Sequence, residues 1–288
     1  MDKSICFIAA GDESWASSRM RAYWPAEALA GWVVTWKEVH ATQELPEADV
    51  YVFQKVADPK LIDHLIGLGK AVWWDVCDPS WWFQPGPSAE IAQRVTGIVA
   101  SSHNLANDCA EWAGRTVHTI PDCLKPSHFP IQRVHIDASP VRLIWFGLSP
   151  NRVALHAAAA NLERLRANGY AVELTICDNE PGRPMAELEK ACPVYYRRWS
   201  LAEENATLAA HDIALLPPYP GPWGQVKSNN KKLTAALCGL PVTTGECYDG
   251  LRGLVARADV RRDAAANGYG EALGFTVERA AREWRKVA

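Results

Sequence analysis

The stretch Lys227-Ser-Asn-Asn-Lys-Lys-Leu-Thr-Ala-Ala-Leu-Cys-Gly-Leu-Pro-Val-Thr-Thr244 begins polar and cationic, becomes apolar, and breaks at Gly239 before a short β-prone run. Ser228 stands where an N-cap belongs and Gly239 where a left-handed C-cap belongs, so the spacing predicts a helix over Ser228–Cys238 and a strand over Pro241–Thr244. A helix start presents unpaired N–H groups and a partial positive charge, to which Lys227 and Lys231 add two ammonium groups. That combination suits a diphosphate. It also suits an ordinary solvated helix start, because Ser and Asn are common caps and lysines are common on surfaces. Upstream, Asp212–Leu216 reads as a short buried strand, followed by a loop over 217–226 with four prolines and two glycines.

The same strand, loop, helix pattern extends in both directions. Val141–Phe146 reads as a strand ending at Gly147, Arg152–Ala167 as a helix closed by Gly169, and Val172–Cys177 as a strand. Before these, Ser4–Ala9, Val33–Trp36, Val50–Gln54, Val72–Asp75, Gly97–Ala100 and Val117–Ile120 are strand candidates. Ser17–Ala30, Pro59–Leu68 and Asn104–Trp112 are helix candidates, the last two with Gly69 and Gly114 at C-cap positions. Alternating strands and helices of this kind build parallel sheets. The segment Pro121–Pro140 holds four prolines and no sustained periodicity, which marks a linker. The expected organisation is therefore α/β, with an N-terminal Rossmann-like domain over 1–132, a second over 140–275, and a C-terminal helix over 276–288. Ligands of open α/β sheets bind beyond the carboxyl ends of the strands, so two such domains are expected to face each other across a cleft.

Composition narrows the function class. The 288 residues are 48% hydrophobic and 22% charged, as in ordinary globular proteins, with a formal net charge of −3 that provides no global field for nucleic acid. Residues 251–288 carry eight Arg or Lys against five Asp or Glu, a mild local excess. No run approaches the ~20 apolar residues of a membrane span, and the opening Met1-Asp2-Lys3-Ser4 is a poor secretory signal. The expectation is a cytoplasmic protein without integral membrane association. Eight scattered cysteines without a Cys-x-x-Cys pair read as buried free thiols. Thirteen tryptophans include Trp73-Trp74 and Trp81-Trp82, adjacent pairs of which some members are expected to line a cleft. No His, Cys, Asp or Glu cluster has metal-ligand spacing, and no Gly-x-Gly-x-x-Gly follows the first strand, which argues against a nicotinamide dehydrogenase.

The Lys227–Thr244 stretch resembles the nucleotide-sugar motif of family 4-like glycosyltransferases (glycosyl transferases group 1), in which Lys/Arg-Ser precedes a helix ending in Gly-x-Pro-Val. Further pieces resemble that family in the same order: Ser17-Ser-Arg-Met-Arg21, Trp74-Asp-Val-Cys-Asp78, Ile98-Val-Ala-Ser-Ser102, Ile120-Pro-Asp122 and Asp212-Ile-Ala-Leu-Leu-Pro217. The resemblance spans roughly residues 4–256 and implies the GT-B architecture. It departs from the family at the Glu-x7-Glu pattern, where Thr234 and the neighbourhood of Gln225-Val226 stand in place of the two glutamates. A hydroxyl or amide lacks the strength of a charge-assisted carboxylate contact, so the donor nucleotide is left open.

The resemblance implies transfer of a hexosyl or pentosyl group from a nucleotide-sugar, UDP- or GDP-linked, without an obligatory metal or other cofactor and with retention of configuration. Lys227 and Lys231 are expected to stabilise the departing diphosphate, with Gly147, Ser149, Ser228, Asn229, Asn230 and Thr234 around the donor. Asp78 is a candidate base. Arg19, Arg21 and Asp75 are candidates on the acceptor side, each also readable as a surface charge or a cap. The acceptor class is open: a saccharide, a small molecule, a protein or a hydroxylated base in DNA. Two other functions suit the same fold, a non-catalytic nucleotide-sugar-binding homologue and a sugar-nucleotide epimerase.

Overall fold

A computed structural model describes residues 3–42, 44–137 and 139–287. Met1, Asp2, Gln43, Ala138 and Ala288, which the expected domain and linker ranges include, lie outside the described residues. The chain forms two compact units. The first comprises the residues up to Lys125 together with Gln225–Asn229 and the residues from Phe275 onward; the second comprises Pro126–Gly224 and Asn230–Gly274.

The first unit is built on six parallel strands: β1 (Ile5–Ala9), β2 (Trp32–Thr35), β3 (Val50–Gln54), β4 (Ala71–Val76), β5 (Gly97–Ala100) and β6 (Val117–Thr119), in the order β2-β1-β3-β4-β5-β6. The central strands β1, β3 and β5 are buried at every residue. Helices cover both faces of such a sheet, so its strands read as continuous apolar runs. That is why Trp73 and Trp74, which point to opposite faces, are both buried, and Trp81 is buried as well. Trp82 is exposed, and both Trp81 and Trp82 donate their indole N–H to Asp108 Oδ2, at 2.7 and 2.9 Å. Gly97 is required by this packing: a Cβ there would lie 2.2 Å from the Trp73 ring.

Local chemistry sets the helix ends. Asp58 caps Pro59–Gly67 by accepting from the N–H groups of Lys60 and Leu61. Ser102 caps His103–Ala113, which ends at Gly114 in the left-handed region. The segment expected as one helix over Ser17–Ala30 is a composite. An α-turn at Ala16–Ser18 widens into a π-turn at Arg19–Tyr23 and returns to α-helix at Trp24–Leu29 before Ala30, at φ 51°. Such π-turns are rare and concentrate at functional sites.

The last helix, Val277–Val287, packs as part of the first unit. Val277, Ala280, Ala281 and Trp284 form its buried stripe at helical spacing. Trp284 meets Phe7 of β1 edge-on, with ring centroids 5.5 Å apart, and Leu124 exchanges main-chain hydrogen bonds with Phe275 and Val277.

The second unit holds five parallel strands: β7 (Val141–Phe146), β8 (Val172–Asp178), β9 (Val194–Arg198), β10 (Ile213–Leu215) and β11 (Val242–Thr243), in the order β11-β10-β7-β8-β9. The helix expected from Arg152 begins at His156, after a 3₁₀ stretch over Ser149–Leu155. The expected linker is divided: Pro121–Lys125 belong to the first unit, and from Pro126 it belongs to the second, where Arg133 N–H donates to the Cys238 carbonyl and the Arg133 guanidinium pairs with Asp212. All eight cysteines are free; Cys77 is partly exposed, Cys247 is exposed, and the other six are buried. Among the described residues, no helix is long and apolar enough to cross a membrane.

Trp284→Ala removes the largest side chain of the terminal helix from the first unit's core. Loss of a buried aromatic costs about 3–5 kcal/mol. A denaturant titration of the first unit's unfolding is expected to show that loss, and a change below about 1 kcal/mol would contradict this packing role.

Candidate active site

In each sheet the chain order reverses at one place, between β1 and β3 in the first and between β7 and β10 in the second. Ligands of open α/β sheets bind beyond the strand ends at such points. In the second unit that place is Gly147, directly after β7. Gly147 N–H donates to the Cys177 carbonyl at 3.2 Å, and a Cβ on Gly147 would lie 2.6 Å from Lys231 Nζ. Absence of a side chain is thus what lets the ammonium reach the strand end. Lys231 sits in the first turn of the helix Asn230–Leu237, and its Nζ lies over the Trp145 ring, 5.3 Å from the centroid. A cation over an indole face is attracted by the ring quadrupole, and this contact helps to orient the ammonium.

The flanking loop is also fixed. Ser149 N–H donates to Asn179 Oδ1 at 2.9 Å, joining the segments after β7 and β8. Asp178, fully buried, is bound by Arg152 through both carboxylate oxygens. The same guanidinium donates to the carbonyls of Glu180 and Arg183 and so anchors the loop after β8. Thr234 is buried, 2% exposed, which removes it from the solvent-facing side of this helix.

The first unit gathers a second cluster. Arg21, on the π-turn, binds Asp75 at the end of β4 through Nε (3.1 Å to Oδ1 and 2.9 Å to Oδ2) and through Nη2. Its Nη1 donates to the Ile120 carbonyl at 2.8 Å and to Asp122 at 2.9 Å. Arg21, Asp75 and Asp122 are all buried. Burial lifts the Asp75 carboxyl above its ordinary range although Arg21 opposes the shift. The other oxygen of Asp122 accepts the Ser228 hydroxyl at 2.5 Å.

Beside this pair, Asp78 is shared by two lysines. Lys55 Nζ lies 2.6 Å from Oδ2, and Lys227 pairs with Oδ1. Burial pushes the Asp78 pKa up, but Lys55 and Lys227 outweigh it and the carboxyl is held below its ordinary value. A carboxylate so stabilised is a weak base. Burial pushes the Cys77 thiol up to about 12, so it stands by Lys55 as a neutral group rather than a nucleophile. Lys55 itself has φ 65°, unusual for a residue with a Cβ; its N–H continues the ladder to the Asp75 carbonyl at 2.9 Å.

Several expectations change at this level. The helix expected from Ser228 starts at Asn230, because the Ser228 hydroxyl is given to Asp122. The contiguous motif is divided: Lys227, Ser228 and Asn229 pack with the first unit, while Asn230, Lys231 and Thr234 belong to the second. Asn229 is exposed and Asn230 half-buried. Arg21 and Asp75, expected to meet an acceptor, are spent on each other below the surface. Arg19 is also buried; it donates to the Glu13 carbonyl at 2.8 Å and lies over Trp24. Lys55, Asp122 and Trp145 join the clusters without having been singled out. Lys55 directly follows a recognised strand and Asp122 closes the Ile-Pro-Asp triplet; Trp145 carried no signal beyond its place in an apolar strand.

No family model and no curated protein matches the sequence. Solved structures do resemble it. A mutant TarM of S. aureus, in complex with fondaparinux, α-GlcNAc-glycerol and UDP, aligns at TM-score 0.61 and 10% identity over 83% of this chain and 55% of its own. An α-glucosyltransferase in complex with UDP and a 13-mer DNA containing a central A:G mismatch aligns at TM-score 0.58 and 12% identity, over 98% of this chain and 94% of its own. An α,α-trehalose 6-phosphate synthase from Burkholderia multivorans aligns at TM-score 0.54 and 11% identity, over 86% and 71%. The chain thus spans just over half the length of TarM and nearly all of the α-glucosyltransferase. Identities this low speak for architecture, and they agree with the two parallel sheets: the chain has the GT-B glycosyltransferase fold, with two Rossmann-like domains.

Proposed function

We propose that the chain is a glycosyltransferase that moves a hexosyl group from a UDP-sugar to an acceptor hydroxyl, with retention of configuration and without a metal ion. The observation that carries the proposal is Lys231, stacked over Trp145, set against Gly147 at a sheet switch point and placed in the first turn of a helix. UDP as the donor nucleotide is supported by its presence in the TarM and α-glucosyltransferase complexes.

In the reaction, the bond from the anomeric carbon to the β-phosphate oxygen breaks, a bond to the acceptor oxygen forms, and the hydroxyl proton passes to the departing phosphate oxygen or to solvent. Negative charge accumulates on the diphosphate. The Lys231 ammonium and the N–H groups at the start of Asn230–Leu237 supply fixed positive charge where it develops, which costs no reorganisation at the moment of transfer. Gly147 leaves room for that ammonium. Asp78, with both oxygens engaged by Lys55 and Lys227, serves to place Lys227 and is set aside as the base.

A second reading is favoured by Thr234: its position, where the family carries a ribose-holding glutamate, is occupied by a buried hydroxyl. On that reading the chain binds a nucleotide-sugar without transferring it. UDP binding with no transfer to any acceptor would select it, whereas release of UDP in step with a glycosylated product selects the transferase. The α-GlcNAc-glycerol and the DNA in the complexes of the similar structures point to the first acceptor classes to assay, glycerol-type hydroxyls and DNA.

Lys231→Ala is expected to lower kcat/KM by at least ~10-fold, since a charge-assisted contact is worth about 1.5–3 kcal/mol. Wild-type kinetics in that variant would remove Lys231 from the reaction. Transfer is also expected to persist after EDTA treatment and dialysis; loss restored by a divalent cation would replace the lysine-centred account with a metal-centred one.

A further inference from the structure

Residues Gln225–Asn229 pack with the first unit although the segments on either side belong to the second. Four side chains of the first unit hold this pentapeptide. Ser102 Oγ donates to the Val226 carbonyl at 2.8 Å, and Asn104 Nδ2 donates to the Gln225 carbonyl at 2.8 Å. Asp78 binds the Lys227 ammonium, and Asp122 accepts the Ser228 hydroxyl. The Val226 side chain is buried, 7% exposed, in the core of the first unit.

The two contacts from Ser102 and Asn104 differ in kind from the other two. Both end on main-chain carbonyls, so they fix the path of the segment whatever its side chains do. Ser102 uses one oxygen for two tasks: it accepts the Leu105 N–H at 3.1 Å as the N-cap of His103–Ala113 and donates its own proton to Val226. A hydroxyl has both an O–H donor and free lone pairs, whereas an ionised carboxylate at the same position caps the helix but has no proton to give. Asn104 is exposed, and its amide is directed to Gln225 rather than into its own helix.

We propose that Ser102 and Asn104 are positioning residues for the phosphate end of the donor site. They set the main chain at 225–226, which presets Lys227 and Ser228. A segment ordered in advance does not charge its ordering entropy to ligand binding. The inference rests on the expectation that Lys227, which Asp78 places, faces the diphosphate, and it adds two residues, the N-cap and the second residue of another helix, that act through the main chain.

The test separates capping from positioning. In the S102D/N104D double variant, Asp at 102 keeps the N-cap while both side-chain donors to the segment are lost and carboxylates face the carbonyls. S102T retains a hydroxyl able to perform both tasks. Hydrogen exchange on the whole protein is expected to show peptides covering 225–229 exchanging at least ~5-fold faster in the double variant, with 103–113 unchanged. UDP affinity is expected to fall by about 5-fold or more, and S102T to bind UDP as the wild type does. Unchanged exchange at 225–229, or faster exchange with unchanged UDP affinity, would overturn the positioning role. A wild type that binds neither UDP nor GDP overturns the proposed function itself and this role with it. That outcome is distinct from a wild type that binds UDP no better than its variant.

Discussion

The guanidinium of Arg21 lies under the carboxyl end of the first sheet with Asp75 and Asp122 against it, and the arrangement of that edge follows from this burial. A buried cation is tolerated only when its donors are matched; removing one partner from such a pair typically costs about 3–5 kcal/mol. Matching Arg21 brings together the π-turn after β1, the end of β4 and the segment after β6, which come from widely separated parts of the chain. Asp122 has a second oxygen to satisfy, and it takes Ser228. The need to pair one buried charge thereby reaches the pentapeptide that leads to Lys231.

Two kinds of cationic placement follow. Lys227 is neutralised in advance by Asp78, which it shares with Lys55. Lys231 lies over the Trp145 ring face, a contact that orients its ammonium beside Gly147. Each lysine is thus fixed by a different contact, one ionic and one to an aromatic face.

Much of the architecture is legible in the chain because parallel strands covered on both faces are uninterrupted apolar runs. Val50–Gln54, Gly97–Ala100 and Val141–Phe146 stand out for that reason, and Gly114 and Gly169 mark the ends of helices by adopting backbone angles that other residues resist. Strand β9 was not legible: Val194-Tyr-Tyr-Arg-Arg198 is an edge strand whose side chains are mostly exposed, so it lacks the apolar signature. The helices Pro85–Arg94, Tyr248–Ala256 and Ala258–Ala272 escaped for a related reason. Pro85, Gly86 and Pro87 in the first turn of the first of them, and glycines inside the other two, weaken local helical preference that tertiary packing then overrides.

Sequence alone determined the alternation of strands and helices and the two Rossmann-like halves, because periodicity, caps and turn residues are local properties. It did not determine what those residues touch. Which side chains are spent on one another was decided by the tertiary structure: Arg21 on Asp75 and Asp122, Lys227 on Asp78, Ser228 on Asp122 rather than on its own helix. Lys227 and Asp78 stand 149 positions apart in the chain. Pairing over that separation depends on strand order and on the demand that buried charge be compensated, and neither is written in any local window of sequence.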